Sequence, residues 1–266
     1  SLDYKNVIKD VNANSPARYN ADKKRLYEAS GCAGKLAVFA VRLDTFEKEK
    51  NEITFYLSSN SPNDLSIFRR KVLQEVKELP IYAEYIHRDA YNISKKYGKD
   101  AFLLIYLLGS HAMPFFYKIR SKIEKFFSKS KLFNSFTLDY ILHFFTKFIP
   151  HPLSKKFDKI SNKFEHHLIL KFDKSIYNDI KPIAYKLFKN KSKNNFLHCD
   201  EKESKKITLA RFVMAGANVR YARIHPKTNS NLLALDISLR RNDKNWHEYL
   251  SKDLKKYIYK PIYVGH

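Results

Sequence analysis

Short apolar runs with strand-like composition alternate with helix-like segments along the chain. Two runs in the first sixty residues, Lys35–Leu43 and Ile53–Leu57, are rich in the β-branched and aromatic residues that favour strands. The same pattern predicts further strands at Tyr82–His87, His166–Phe172, Asn218–Ile224 and Leu232–Leu239. The predicted strands are therefore spread over the whole chain, with helical segments between them.

The helical segments show apolar residues at spacings of three and four. One helix is predicted at Leu65–Glu78, with Asp64 as its N-cap. The residues that share its predicted buried face are Leu65, Phe68, Val72 and Val76. A second helix is predicted to end at Gly98, and others are predicted at Ile176–Phe188 and Ile207–Ala215. Strands and helices in this mixture predict an α+β fold.

Residues 111–164, here called the basic aromatic segment, combine positive charge with aromatic rings. They hold 11 of the 20 phenylalanines, and 11 basic residues against three acidic ones. One apolar stripe at helical spacing consists of Phe116, Ile119, Ile123 and Phe127. A second consists of Leu138, Ile141, Leu142, Phe145 and Ile149, and it ends at Pro150–Pro152. Most lysines of the first helix lie elsewhere on its surface.

Three interpretations of the basic aromatic segment are open from this pattern. Apolar rings on one face with lysines around it are typical of helices that lie in a membrane interface. The same pattern fits two core helices with solvated basic faces. Basic residues with aromatics also bind nucleic acid, although no helix-turn-helix, RNA-recognition or zinc-finger signature accompanies them here. The pattern favours the first two interpretations over the third.

Composition narrows the class of protein. The chain has 266 residues, a length typical of one large or two ordinary domains, and a formal net charge of +23. Its two cysteines, Cys32 and Cys199, indicate a reducing compartment rather than a disulfide scaffold. No signal-peptide pattern is present at Ser1 and beyond, and the longest apolar run, Ala101–Leu108, is far shorter than the roughly 20 residues of a spanning helix. A small secreted protein and an integral membrane protein are therefore not expected.

Glycine is scarce, with six residues in the whole chain. A nucleotide-phosphate loop needs several clustered glycines so that backbone N–H groups reach the phosphates. Only Gly31 and Gly34 lie close together in the sequence. The chain by itself therefore carries no complete phosphate-binding loop.

Several stretches of the chain are long and specific: EASGCAGKLAVFAVRLDTF, EYIHRDAYNISKKYGKDAFL, MPFF, KFEHHLILK, RFVMAGANVRYARIH, LLALDISLRRND and YVGH. These stretches resemble the bacterial respiratory, quinone-linked, FAD-dependent D-lactate dehydrogenase family. The similarity is weakest at Ser1–Val11, Ser121–Asn162 and Ser175–Ser204. The resemblance implies an internal fragment of such an enzyme, one that lacks the upstream FAD phosphate loop and the downstream part of the active site.

The resemblance also implies a division of the chain. The expected fold is a remnant of a two-part FAD-binding domain plus an antiparallel-sheet cap domain, interrupted by a basic helical membrane-binding insertion. The expected segments are 1–60 for the FAD-binding part, 61–103, 165–202 and 227–266 for the cap, 104–164 for the insertion, and 203–226 as a possible second membrane-binding segment.

Candidate site residues follow from the resemblance. The small residues and the strand expected to lie along FAD are Gly31, Cys32, Ala33, Gly34, Leu36 and Val38, which an ordinary tight turn before a core strand would also explain. Arg211 is expected to bind the substrate carboxylate, as a planar guanidinium does well, although it is equally explained as surface charge. His266 matches the first histidine of a motif at the substrate hydroxyl and is expected to be catalytic. No metal ligand set is predicted, because adjacent strand residues such as His166 and His167 point to opposite faces.

The implied function is oxidation of D-lactate, or a similar small D-2-hydroxy acid, to pyruvate, with electrons passing through FAD to quinone. The enzyme is expected on the cytoplasmic side of the inner membrane as a peripheral protein of the respiratory chain. Its expected contacts with anionic phospholipid are Phe115, Phe116, Lys118, Arg120, Lys122, Lys125, Phe126, Phe127, Phe144, Phe145 and Lys147. The rival is a non-catalytic basic module for membranes or nucleic acid. On the dehydrogenase interpretation no nucleic-acid partner is expected.

Overall fold

The computed structural model describes residues 4–18, 21–24, 36–40, 51–127, 135–189, 194–225, 227, 232, 238–244, 260 and 262–265. The helices are α1 (Tyr4–Lys9), α2 (Pro62–Glu75), α3 (Arg88–Tyr97), α4 (Lys99–Leu108), α5 (Met113–Phe127), α6 (Ser135–Thr146), α7 (Lys155–Lys163), α8 (Tyr177–Phe188), α9 (Glu201–Phe212) and α10 (Met214–Ile224). The strands are β1 (Glu52–Ser59), β2 (Tyr82–His87), β3 (His166–Asp173), β4 (Asn194–Cys199) and β5 (Val264–Gly265). The α+β class predicted from the sequence is confirmed.

An antiparallel sheet in the order β4-β1-β3-β2-β5 organises the described chain. Tyr56 at the centre of β1 lies opposite Ile169 of β3 and Leu197 of β4. Successive side chains of β1 point to opposite faces, so Phe55 packs with α2 and α8 while Tyr56 packs with α3 and α9. Because helices cover both faces, six consecutive residues of β1 are buried.

Helix α2 confirms the predicted buried face but not its predicted cap. Leu65, Phe68, Val72 and Val76 are all buried. The N-cap is Ser61 rather than Asp64, because Pro62 starts the helix at a position where its missing N–H is not needed. Asp64 lies in the first turn, where its carboxylate accepts a hydrogen bond from Ser59 Oγ at 2.7 Å.

The strand predicted at Asn218–Ile224 is wrong, since these residues belong to helix α10. The β-branched and aromatic residues that suggested a strand are outweighed by the buried side chains of Ala217, Tyr221 and Ile224, whose spacing is helical. The strand predicted at Lys35–Leu43 is not seen over residues 36–40, all of which are exposed. A strand needs a neighbour for its N–H and C=O groups, and no described residue pairs with this run. The strand predicted at Leu232–Leu239 falls mostly outside the described residues.

The predicted β2, β3, α3 with its end at Gly98, and α8 are confirmed. The helix predicted at Ile207–Ala215 is only partly confirmed, because α9 ends at Phe212 and α10 begins at Met214. The expected boundary at residue 60 falls just after β1, which pairs with β3 and β4 in the middle of the sheet. The sheet core therefore begins at Glu52. The basic aromatic segment contains α5, α6 and α7, and it lies between α4 and β3 along the chain.

Candidate functional site

The basic aromatic segment begins with a sharp bend after α4. Gly109 has a φ of 81°, in the left-handed region that glycine adopts at low cost, and the helical axis turns by 113° between Lys99–Leu108 and Ser110–Phe126. No single helix in the described part of the chain is long and apolar enough to cross a bilayer. Among the described helices, only this bent pair, taken together, has the length and apolar composition of a membrane span. The bend directs α5 away from the line of α4.

Helices α5 and α6 expose an unusual number of large apolar side chains. The exposed fractions lie between 53% and 75% for Phe115, Phe126, Phe144, Phe145 and Phe148. Other exposed apolar residues nearby are Leu107, Leu108, Tyr117 and Tyr140. None of the side chains from Met113 to Phe126 is buried, so α5 is not a core helix. Exposed apolar groups clustered in this way mark an interaction surface.

Four lysines accompany these rings at the surface. Lys118, Lys122 and Lys125 are exposed on α5, and Lys147 lies just after α6 with its Nζ 5.6 Å from the centre of the Phe144 ring. No carboxylate in the described residues pairs with Lys118 or Lys122. These lysines, with the exposed phenylalanines of α5 and α6 and Phe148, form what we call the lysine–phenyl surface.

The sequence-predicted lipid contacts lie largely on this surface. Phe115, Phe126, Phe144 and Phe145 are exposed, whereas Phe116 is half-buried. The side chain of Phe127 lies outside the description. Three further exposed apolar residues are not among the predicted contacts. Phe148 lies three residues after Phe145, and Leu107 and Leu108 end the longest apolar run.

The structure places Arg120 differently from its predicted role, because its guanidinium is bound within the protein. Its Nε donates to Glu124 Oε1 at 3.0 Å, and its Nη2 donates to Asp139 Oδ1 at 3.0 Å. Asp139 is buried, and its second oxygen accepts from Arg223 Nη1 at 3.0 Å. Arg220 Nε lies 3.5 Å from Asp139 Oδ1. We call these residues the Asp139 cluster.

Arg220 extends the Asp139 cluster to α4. Two of its nitrogens donate to the two carboxylate oxygens of Asp100, each at 2.7 Å, and Nη1 also donates to the carbonyl of Tyr97 at 2.8 Å. Paired arginine–carboxylate contacts of this kind have a fixed geometry. The cluster therefore joins α4, α5 and α6 to α10 and fixes how α5 and α6 lie against the rest of the protein. An acidic residue such as Asp139 within a basic segment is the sequence signal that could have revealed it.

Arg211, the predicted substrate-binding residue, lies at the end of α9 beside the sheet. Its Nε and Nη2 both lie 2.9 Å from Glu84 Oε2 on β2. Glu84 is buried and Arg211 is largely buried. Glu84 therefore holds the orientation of the guanidinium, and the substrate role of Arg211 stays a prediction.

His87, His166 and His167 on and beside the sheet have structural environments. His87 caps α3 by accepting from the backbone N–H of Asp89 at 3.1 Å, and His166 Nδ1 lies 2.8 Å from the Tyr85 hydroxyl. His167 points to the opposite face, as predicted, where burial lowers its pKa to about 3. Among the residues that the structure describes, no group of three or more potential ligands could hold a metal ion. Burial raises the pKa of the Cys199 thiol to about 12, which makes it unreactive at neutral pH.

The residues expected to contact FAD are described only in part. Gly31, Cys32, Ala33 and Gly34, like the predicted catalytic His266, lie outside the described residues. Leu36 and Val38 are about half exposed, and Phe39, which follows Val38, is 98% exposed. An exposed apolar strip of this kind suits contact with a flat apolar ring, and the structure leaves it accessible.

Comparisons with known proteins agree on one family. The family model for the membrane-binding domain of D-lactate dehydrogenase matches residues 54–266. The chain is 42% identical to the quinone-dependent D-lactate dehydrogenase of Escherichia coli over 264 residues, which is 99% of this chain and 46% of that protein. It is 41% identical to the protein of the same name from Haemophilus influenzae, covering 99% of this chain and 47% of the relative.

A third relative is more distant. The quinone-dependent D-lactate dehydrogenase of Corynebacterium glutamicum is 34% identical over 253 residues, or 95% of this chain and 44% of that protein. The chain thus spans a little under half the length of the curated relatives that it matches. With four-fifths of its residues matched by the family model and an exposed lysine–phenyl surface within that match, this chain belongs to the D-lactate dehydrogenase membrane-binding family.

Proposed function

We propose that this chain forms the membrane-binding part and the cap of a peripheral flavoenzyme that oxidises D-lactate to pyruvate and passes the electrons to quinone. The observation that carries the proposal is the lysine–phenyl surface, whose rings are too exposed for a core and whose lysines surround them. The three relatives are named as quinone-dependent D-lactate dehydrogenases, which supports the substrate and the electron acceptor.

The lysine–phenyl surface supplies both parts of a peripheral membrane contact. Lysines near an anionic bilayer contribute on the order of 1 kcal/mol each. Phenyl rings that enter the boundary between headgroups and acyl chains lose contact with water, which stabilises the bound state further. A site that binds only phosphate groups has no need of exposed phenyl rings, and this surface has several. The surface therefore fits an anionic phospholipid bilayer, which offers both phosphate groups and an apolar interior. The proposed location is the cytoplasmic side of the inner membrane.

FAD is the proposed cofactor. The exposed apolar strip at Leu36 and Val38 fits one face of the flavin ring, and Gly31 and Gly34 suit a close approach of the backbone to a flat ligand. FAD, when bound, accepts the electrons from D-lactate. Arg211 is proposed to bind the carboxylate of D-lactate. His266 is proposed to accept the proton of the D-lactate hydroxyl group. The remaining cap residues exclude water from the reacting carbon.

Sedimentation with vesicles tests the membrane part of this proposal. The complete gene product that contains this chain is expected to sediment with vesicles rich in anionic phospholipid at low salt and to be released as salt rises, because screening weakens lysine contacts. Phe144→Ser combined with Phe148→Ser is expected to weaken binding about tenfold or more while leaving the secondary structure unchanged. The matched control is Ile81→Ser, which replaces an exposed apolar side chain just before β2, outside the surface and outside both segments expected to bind the membrane. No sedimentation at low salt would contradict the proposal.

Absorbance spectroscopy tests the enzymatic part. The purified complete protein is expected to show a bound yellow flavin whose absorbance falls on addition of D-lactate and recovers on addition of a soluble quinone. A colourless protein that binds RNA with the same affinity as vesicles would instead support the rival, a non-catalytic basic module.

A further inference from the structure

The cations of the lysine–phenyl surface are of one chemical type. The basic aromatic segment contains ten lysines and one arginine, Arg120. Every lysine and arginine from residue 111 to residue 164 is included in this count. Any lysine or arginine of the segment that contacts lipid is therefore a lysine, with Arg120 as the single exception. The position of Arg120 therefore decides which chemistry the segment offers to a headgroup.

Arg120 is occupied by protein carboxylates. The edge of a guanidinium that binds a phosphate side-on consists of Nε and one Nη, and in Arg120 these two atoms donate to Glu124 and Asp139. The arginines that lie nearest, Arg220 and Arg223 of α10, also bind Asp139. If Arg120 left the Asp139 cluster, the buried carboxylate of Asp139 would lose one of its close partners. This cost opposes the movement of Arg120 from the cluster to a lipid headgroup.

Lysine and arginine recognise phosphate differently. A guanidinium presents N–H groups in a fixed planar arrangement that selects the geometry of its partner, whereas an ammonium is a compact charge on a flexible stem. Lys118 and Lys122 share the face of α5 that contains Phe115 and Phe126. Their charges can reach phosphates from many positions without a defined geometry.

We propose that the lysine–phenyl surface recognises an anionic bilayer by its charge density and by insertion of phenyl rings, and does not select among anionic headgroups. Arg120 acts as a positioning residue, holding α5 to α6 through Asp139. This inference rests on the proposed membrane-binding function and deepens it by naming what the surface distinguishes.

Vesicles of matched surface charge test headgroup selection. Three kinds of vesicle are prepared, in which phosphatidylcholine is mixed with phosphatidylglycerol, phosphatidylserine or cardiolipin. Cardiolipin is used at half the mole fraction of the other two anionic lipids, and all three vesicles are adjusted to the same measured zeta potential. The complete protein is expected to bind all three with affinities within threefold of one another. A larger preference for one lipid would overturn this inference and leave the proposed membrane function standing. Absence of binding to all three would overturn both.

A pair of variants tests the position of Arg120. Arg120→Lys keeps the charge but cannot reproduce both N–H contacts, so it is expected to lower the thermal midpoint while vesicle affinity stays within twofold of the unchanged protein. Lys122→Gln is expected to weaken vesicle binding about fivefold with an unchanged thermal midpoint. Vesicle affinity that falls more for folded Arg120→Lys than for Lys122→Gln would overturn the inference. The comparison of the three vesicles uses the unchanged protein. It therefore still tests the inference if the Arg120→Lys protein fails to fold.

Discussion

His167 illustrates how a single buried group affects stability. Its Nδ1 lies 3.0 Å from Ser58 Oγ, and its ring stacks on Tyr56 with the centres 5.4 Å apart. Burial lowers its pKa to about 3, and positive charge from His166, His87 and Arg88 acts in the same direction. The neutral imidazole is therefore the form that the folded protein holds at neutral pH.

This environment predicts lower stability in mild acid. An unfolded chain with a histidine pKa near 6.5 binds a proton that folded His167 does not, so the free energy of unfolding falls as pH drops below about 6.5. The loss from this residue is about 1.4 kcal/mol at pH 5.5. Urea unfolding of the complete protein at pH 7.5 and pH 5.5 measures it.

The control is the double variant His167→Leu with Ser58→Ala, which removes the titrating group and its hydroxyl partner together. Its stability is expected to change less between the two pH values. Burial also lowers the pKa of His143 and His151, so some dependence on pH remains. An unchanged dependence in the double variant would show that His167 is not the cause.

The helices and strands show what a single sequence can and cannot predict. Apolar spacing identified α2, α3 and α8 correctly because their buried faces repeat along one element. It failed at α10, where local β-branched composition competes with a buried helical face that packs against α3 and α6. Asp139 and Arg220 are 81 residues apart, and no local pattern predicts a contact over that distance. The exposure of the lysine–phenyl surface likewise depends on how α5 and α6 are held.

Two glycines in helical regions predict opposite effects of alanine. A Cβ at Gly109 would meet the His111 ring at 2.8 Å on a backbone with φ of 81°, so Gly109→Ala is expected to destabilise the protein by about 1–2 kcal/mol. A Cβ at Gly216, inside α10, meets nothing within 4 Å, so Gly216→Ala is expected to stabilise it by up to about 1 kcal/mol. Thermal unfolding of both variants measures the difference. Equal midpoints would contradict the proposed role of Gly109 in the bend.

The described chain exposes one apolar strip that the lysine–phenyl surface does not explain. Leu36, Val38 and Phe39 lie on the segment that the resemblance assigns to FAD contact, and the curated relatives are about twice as long as this chain. The proposed catalytic assembly therefore combines this strip, Arg211 and further protein. Residue roles in it are measurable only in the complete enzyme.

Substitution of Arg211 tests its proposed contact with D-lactate. In the complete enzyme, Arg211→Ala is expected to lower kcat/KM for D-lactate by about 10- to 100-fold, since a charge-assisted hydrogen bond contributes about 1.5–3 kcal/mol. Arg240→Ala, which removes an arginine bonded to Asn14, is the control and is expected to leave kcat/KM unchanged. Steady-state kinetics of both variants with equal flavin content decide the matter. Unchanged kcat/KM in Arg211→Ala would assign Arg211 to structure alone, through Glu84.

The Asp139 cluster is electrically balanced within itself. Arg120, Arg220 and Arg223 face the three carboxylates of Asp100, Glu124 and Asp139, so their charges cancel inside the protein. Helix anchoring and membrane attraction thus depend on separate residues. A substitution that adds or removes a surface lysine would therefore change the charge offered to a membrane without disturbing the ion pairs that hold α5 and α6 in place.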